Sequence, residues 1–448
     1  MAFNFVACDR DQELLLPPSL REWLAEDHLV WFVLDAVDAI DLAAFYAEYR
    51  DDGWGRAAFD PGMMVALLLY AYAVGERSSR QIERRCREDV AFRVICANRV
   101  PDHATIARFR VRHEQALAAT FTQVLVLCAR AGLVSVGVVA LDGSPISGNA
   151  SPGATRTYAA IREEVDAILR QAAETDAAEG EQLGDARGDE VPAPLADRHS
   201  RLERLRCCRE ELEREEAEAQ AAYAAKLAWR AGWEAEHGRK LTGRKPAPPD
   251  LEGLGKRKAN TTDPDTRMIT RTGRRTVQGF NVQVVADSNQ IVLAAEVTQS
   301  INDGDQLEPM VDCAISELAR AGIEETIRTV LADGGYWNTT QIAATRARQI
   351  DVLVPAKNRR RTQPRKNAPP RGEEARRMEA ILDTPEGQAR YRRRQQLVEP
   401  VFANIKYLRR IDRFQRRGLR ACQAEWKLIA STHNLLKLWR TTPILAAS

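Results

Sequence analysis

The chain has 448 residues, 44% hydrophobic and 29% charged, with a formal net charge of +2 at pH 7. That length allows two or three domains around a substantial core. The eight cysteines have neither paired CxxC spacing nor the density of a disulfide framework, which excludes a zinc-ribbon or disulfide-stapled protein and fits a reducing cytoplasm. No basic start followed by an apolar core marks a secretion signal, and the most hydrophobic stretch, MMVALLLYAYAV, is too short to cross a bilayer.

Residues 1 to about 130 read as helical. Asp60 can cap a helix that opens with Pro61 and ends at Gly75. Ser78 with Gln81 makes a capping-box pattern before QIERRCRED, and Asp102 can cap HATIARFRVRHEQ. The last two helices have basic faces that can offer Arg80, Arg84, Arg85, Arg108, Arg110 and Arg112 to a phosphate backbone. Ordinary helical packing competes with that reading, because VICANRVPD between them is longer than the turn of a simple helix-turn-helix.

From Gly137 the pattern changes to short apolar runs. VVAL leading into Asp142 predicts a core strand that ends at the aspartate. FNVQVVAD and QIVLAAEVTQ predict a hairpin turning at Asp287, Ser288 and Asn289. A helix over about 305–319, a strand IRTVLAD ending at Asp333, a helix near 339–348 and a strand DVLVPA follow. That order predicts a mixed α/β sheet.

Residues 159–235 interrupt this sheet with two predicted helices joined by a Gly/Asp/Pro-rich loop, a protruding hairpin with a short, imperfect coiled-coil heptad pattern. Residues 236–260 and 357–374 read as basic, proline-rich linkers without stable secondary structure. Charge is uneven along the chain. Glu163 to Glu218 holds 18 acidic and 8 basic residues, whereas Lys357 to Arg420 holds 20 basic and 7 acidic. The basic field would attract a polyanion such as DNA.

Three carboxylates stand out: Asp142 and Asp333 at the ends of predicted strands, and Glu399 in the basic run YRRRQQLVEPVFANIK. An Asp-Gly pair alone is most often a turn. Brought together, the three could hold two divalent ions about 4 Å apart for phosphodiester chemistry, and hard carboxylate oxygens suit Mg²⁺. Asp287, Asp303 and Asp305 compete as ligands nearby. Gly334-Gly335 allows close approach to DNA, and Tyr336 and Trp337 offer aromatic surface for a base, with core packing the competing reading for Trp337. His433 falls on an apolar helix and reads as packed.

The segments LDGSPISGNAS, KANTTDPDTRM, GFNVQVVAD, VLADGGYWN, YRRRQQLVEPVFANIKYLRR and EWKLIASTHNLLKLW together resemble the DDE transposases of bacterial insertion sequences. The resemblance runs over nearly the whole chain. It implies a ribonuclease-H-like mixed sheet with a helical N-terminal domain and a helical insertion after the first strand. The implied division is a helical DNA-binding domain at 1–130, a catalytic domain at 131–158 and 259–440, and a hairpin insertion with its basic linker at 159–258.

The resemblance also implies that Asp142, Asp333 and Glu399 are the catalytic and metal-holding residues. The family's tyrosine, arginine, glutamate and lysine signature falls on Tyr391, Arg394 or Arg393, Glu399 and Lys406. Arg84 and Arg108 complete the expected DNA contacts. The implied cofactor is two Mg²⁺, with Mn²⁺ as a substitute. The implied partners are double-stranded DNA, as terminal inverted repeats and target DNA, and a second copy of the chain. The implied location is the bacterial cytoplasm, at the nucleoid when DNA is bound. A nuclease of the same fold and a DNA-binding protein without catalysis are the alternatives.

Overall fold

A computed structural model describes residues 19–49, 57–167, 170, 193–240, 245–248, 256, 258–270, 276–356 and 372–441. Most of the basic stretch at 357–374 and the glycine-rich loop of the insertion lie outside the described residues.

The N-terminal region folds into α1 (Leu29–Asp38), α2 (Ala43–Tyr46), α3 (Pro61–Ala73), α4 (Ser79–Glu88), α5 (Val90–Ile95), α6 (His103–Arg112) and α7 (Glu114–Arg130). Asp60 accepts from Met63 N at 2.9 Å, Pro61 opens α3, and Gly75 leaves it in the left-handed conformation. Asp102 likewise caps α6 through Thr105 N at 2.7 Å. The capping box at Ser78 is not formed. Ser78 stands at the cap position without a side-chain bond, and Glu76 instead accepts from Arg77 N and Ser78 N.

Arg110 corrects another expectation. It is buried and bonds Tyr72 Oη, Arg77 O and Ser79 Oγ, so it holds the fold together and faces no DNA. Arg84 and Arg108 are exposed.

The sheet is mixed. β1 (Val138–Ser147) lies at its centre, paired antiparallel with β5 (Thr276–Ala286) and parallel with β7 (Thr329–Ala332), which pairs parallel with β8 (Asp351–Leu353). Along the far edge of β5 run β4 (Arg267–Thr270) and β6 (Val292–Thr298). Val139, Ala140, Leu141 and all four residues of β7 are buried, as central strands covered on both faces require. β4 was not foreseen, because four residues of mixed exposure carry too little pattern.

The insertion is rooted on a ribbon of β2 (Thr155–Thr157) against β3 (Lys258–Asn260), so the end of the linker expected to be irregular is a strand. Residues 158–167 are helical, and α8 (Ala193–His237) has 45 residues, about 68 Å at 1.5 Å each. The two helices meet in a small core of Ile161, Val165, Leu205, Cys208 and Leu212. Arg267 of β4 pairs with Glu211 and with Glu215 at 2.7 Å, tying the insertion to the sheet.

Four helices complete the chain's second half before the last: α9 (Leu307–Arg320), α10 (Thr339–Ala347), α11 (Glu373–Asp383) and α12 (Pro385–Ala403). α12 lies against β1, β5 and β7. The last helix, α13 (Leu419–Thr441), packs against β6, α7 and α3. One apolar cluster therefore runs from the N-terminal helices into the sheet. Arg77 and Glu425, 3.2 Å apart and both buried, link the same two regions.

His433 lies inside this contact, its Nε2 3.0 Å from Gln290 O and its Nδ1 3.2 Å from Asn404 Oδ1. Burial pushes its pKa down to about 3, and Arg409 adds to the effect. The folded value lies below the ordinary one near 6.5, so the unfolded chain binds the extra proton. Stability from His433 is full above about pH 6.5 and is lost as pH falls toward 3, at up to about 1.4 kcal/mol per pH unit. Denaturant unfolding between pH 6 and 4 should give a steeper fall for the wild type than for His433→Gln. Parallel curves would mean that His433 carries a proton in the fold.

Candidate active site

Register brings the first two carboxylates together. Leu141 pairs with Ala332 at the end of the parallel β1–β7 ladder, so the next residues, Asp142 and Asp333, stand side by side on strands about 4.8 Å apart. Asp333 ends its strand as expected and accepts from Gly335 N at 2.7 Å. Asp142 does not end its strand. β1 runs five residues further on its pairing with β5, and Asp142 sits mid-strand where only the β7 partner stops.

Glu399 arrives from α12. It is half exposed, and Arg394, five residues earlier on the same helix, reaches both acids: its guanidinium lies 3.5 Å from Asp142 Oδ2 and 3.4 Å from Glu399 Oε1. Burial opposes the charge of Arg394, but Asp142, Tyr391, Asp333 and Glu399 outweigh it and hold its pKa above the ordinary value. Burial pushes the Asp142 carboxyl up to about 6; Arg394 opposes this, while the charges of Asp333 and Asp303 reinforce it. Arg393 is exposed and pairs with none of the three carboxylates among the described residues, whereas Arg394 meets two of them.

Lys406 lies beyond the regular helix. Pro400 supplies no N–H, and Asn404–Leu408 form a π-helical turn closed by Arg409 N to Asn404 O at 3.0 Å. From there Lys406 Nζ donates to Pro145 O at 2.8 Å and to Ser144 Oγ, both on the strand that carries Asp142. Tyr391 is partly buried against the core.

Tyr336 differs from its expected role as a DNA-facing ring. It is fully buried and donates to Gln283 Oε1, and burial followed by the charges of Asp303, Asp142 and Asp333 raises its phenol well above 10. Trp337 is partly buried and packs on the core. Of the competing acids, Asp287 is buried at the hairpin turn, accepting from Ser135, Asn289 and Ile291 N–H groups, and Asp305 accepts from Asn338. Asp303 stays close, accepting from Asn281 and Gln283 beside Gly143. The polar residues Asn281 and Gln283 within an apolar strand were the sequence signal for this network.

The divalent ion implied by the resemblance finds hard oxygen donors here and no sulfur or imidazole among them, a donor set of the right chemistry. A Cβ on Gly143 or Gly335 would crowd the carboxyl groups, at 2.6 Å from Asp303 Oδ1 and 2.8 Å from Asp333 Oδ1, so both glycines keep the space beside the acids open. Among the described residues, no three His, Cys, Asp or Glu side chains already stand in position to hold a metal ion. The guanidinium of Arg394 supplies the positive charge between two of them.

Two family models match the chain. Residues 18–112 match the transposase domain (DUF772), and residues 255–435 match the transposase DDE domain. The second span holds Asp333 and Glu399. Asp142 lies in neither, on the far side of the insertion, and reaches Asp333 through the β1–β7 pairing. No curated protein and no solved structure matches the chain significantly. No described helix is long and apolar enough to cross a membrane. The DDE domain is ribonuclease-H-like, which accounts for the mixed sheet. With a transposase domain at its head and a DDE domain behind it, the chain belongs to the DDE transposases of insertion-sequence type.

Proposed function

We propose that this transposase hydrolyses a DNA strand at each end of its element, at terminal inverted repeats, and joins the freed 3′-OH to target DNA at a single centre. The observation that carries this reading is the register that sets Asp142 beside Asp333, with Arg394 spanning from Asp142 to Glu399. DDE transposases act on DNA with divalent metal ions. In this chain Asp142, Asp333 and Glu399 would hold them, as two Mg²⁺ or as Mn²⁺ in their place. Such ions supply an activated oxygen nucleophile and stabilise charge on the phosphoryl group and the departing oxygen.

The chain's other residues bind and orient. Arg394 presents a planar fork that suits a phosphate as well as a carboxylate. Lys406 fixes the strand of Asp142 through Ser144 and Pro145. Arg393, exposed on α12, offers charge to the DNA backbone, and Tyr391 and Trp337 support the helix and loop that carry Glu399 and Asp333. Tyr336 acts from inside, through Gln283.

At the N-terminal helices, Arg84, Arg85 and Arg87 pair with Glu88, Asp89 and Glu83 one turn away. Exposed pairs of this kind are worth at most about 1 kcal/mol, so phosphates can replace them. Arg84 and Arg108 are the proposed contacts there. A cleft of about 380 Å³ lined by Arg80, His103 and Arg416 joins this surface to the segment before α13. Processing both ends together calls for two copies of the chain.

The test is joining. Purified protein with Mg²⁺, pre-cut element ends and a plasmid should yield end-to-plasmid products. Cleavage of uncut ends that never proceeds to joining would reduce the protein to a nuclease.

A further inference from the structure

Asp303 lies in the connection between β6 and α9, apart in sequence from Asp142, Asp333 and Glu399. A Cβ on Gly143, next to Asp142, would stand 2.6 Å from Asp303 Oδ1, and one on Gly335 would stand 3.4 Å from Asp303 Oδ2. The carboxyl group thus fills the space between the two chain segments that directly follow Asp142 and Asp333.

It is held there by neutral donors. Asn281 Nδ2 and Gln283 Nε2 donate to Oδ1 at 2.7 and 2.8 Å. Both are buried alternate residues of β5, on one face of the sheet, and Gln283 is fixed in turn by the hydroxyl of Tyr336. Two amides orient a carboxylate without cancelling its charge. No described group donates to Oδ2. Among the described residues Arg394 is the only cation paired with any of Asp142, Asp303, Asp333 and Glu399. Arg394 pairs with two of these four acids, Asp142 and Glu399, and Asp303 and Asp333 have no paired cation among the described residues, which leaves negative charge that a divalent cation would balance.

We propose that Asp303 is a fourth carboxylate of the catalytic centre, held by Asn281 and Gln283 so that its charge and free oxygen help bind the divalent ion. This rests on the reading of Asp142, Asp333 and Glu399 as the metal-holding set. Asp303 acts on the ion from beside that set, through its charge and through water.

Asp303→Asn isolates the charge, since the amide oxygen can still accept from both donors. Mn²⁺ binding to the full chain, followed by the electron paramagnetic resonance of the free ion, should weaken by about 10- to 100-fold, with an unchanged melting temperature. Asp305→Asn, on the exposed side of the same loop, should bind Mn²⁺ as the wild type does. If Asp303→Asn melts early, Asp303→Ser, smaller and uncharged, must show the same weakening. Wild-type affinity in either variant overturns the role of Asp303 and leaves the three-acid reading standing. Mn²⁺ binding that Asp142→Asn does not weaken overturns the three-acid reading and this proposal with it.

Discussion

Asp142→Asn is expected to reduce Mg²⁺-dependent strand cleavage by about three orders of magnitude or more, because residues that act as one unit lose most of the activity when any member is removed. The same variant should be no less stable than the wild type. Burial, with Asp333 and Asp303 nearby, raises the Asp142 carboxyl to about 6, so its charged form costs stability at neutral pH. The contribution of Asp142 is intact below about pH 4 and is lost as pH rises through about 6, a loss of up to about 3 kcal/mol. Metal-free Asp142→Asn should therefore gain on the wild type at pH 7.5 and lose that gain at pH 4, as read by urea unfolding. Catalytic loss with a stability gain is the pattern of an acid kept for function. A cleaving Asp142→Asn protein would remove Asp142 from the centre. Asp333→Asn and Glu399→Gln should lose cleavage to a similar extent.

Arg77→Met should be the most damaging substitution for the fold, costing about 3–5 kcal/mol in urea unfolding. Glu425 is buried and also accepts from Gln415 N and Arg416 N, which cannot neutralise it once Arg77 is gone. The double variant Arg77→Met with Glu425→Gln should recover much of the loss, since burying an uncompensated charge is the expensive part. The effect should reach the site. Arg77 also donates to Arg413 O, and the neighbouring Asp412 and Phe414 bond the backbone of Ser147 at the end of β1. Equal stability of Arg77→Met and the wild type would mean that the N-terminal helices are held by apolar packing alone.

The helices and strands that position the site were legible wherever one local rule decided them. Asp60 with Pro61, and Asp102, announce α3 and α6 because caps are local chemistry. The turn at Asp287 announces the β5–β6 hairpin in the same way. The extent of β1 was not legible, since LDGSPIS reads as a turn and becomes a strand only on pairing with the long β5. Ser78 looked like a capping box, but Glu76 takes up the N–H groups of Arg77 and Ser78. Arg110 and Tyr336 carry the right chemistry for DNA, yet both are buried, and burial depends on contacts from distant segments that no spacing reveals. Which of Arg393 and Arg394 stands near the carboxylates depends on helix phase, which spacing alone does not fix, and it is Arg394 that pairs with Asp142. Asp303 was one of two acids in its loop until the amides of β5 singled it out.

Exchange of Asp142, Asp333 and Glu399 for cysteine, one at a time, shows whether the three hold the metal of one centre. A thiolate is a softer ligand than a carboxylate and favours Mn²⁺ over Mg²⁺. Cleavage of element ends by Asp142→Cys, Asp333→Cys and Glu399→Cys should be lost in Mg²⁺ and recovered in Mn²⁺. Cleavage at the wild-type rate in Mg²⁺ by any of the three would contradict the assignment of that residue.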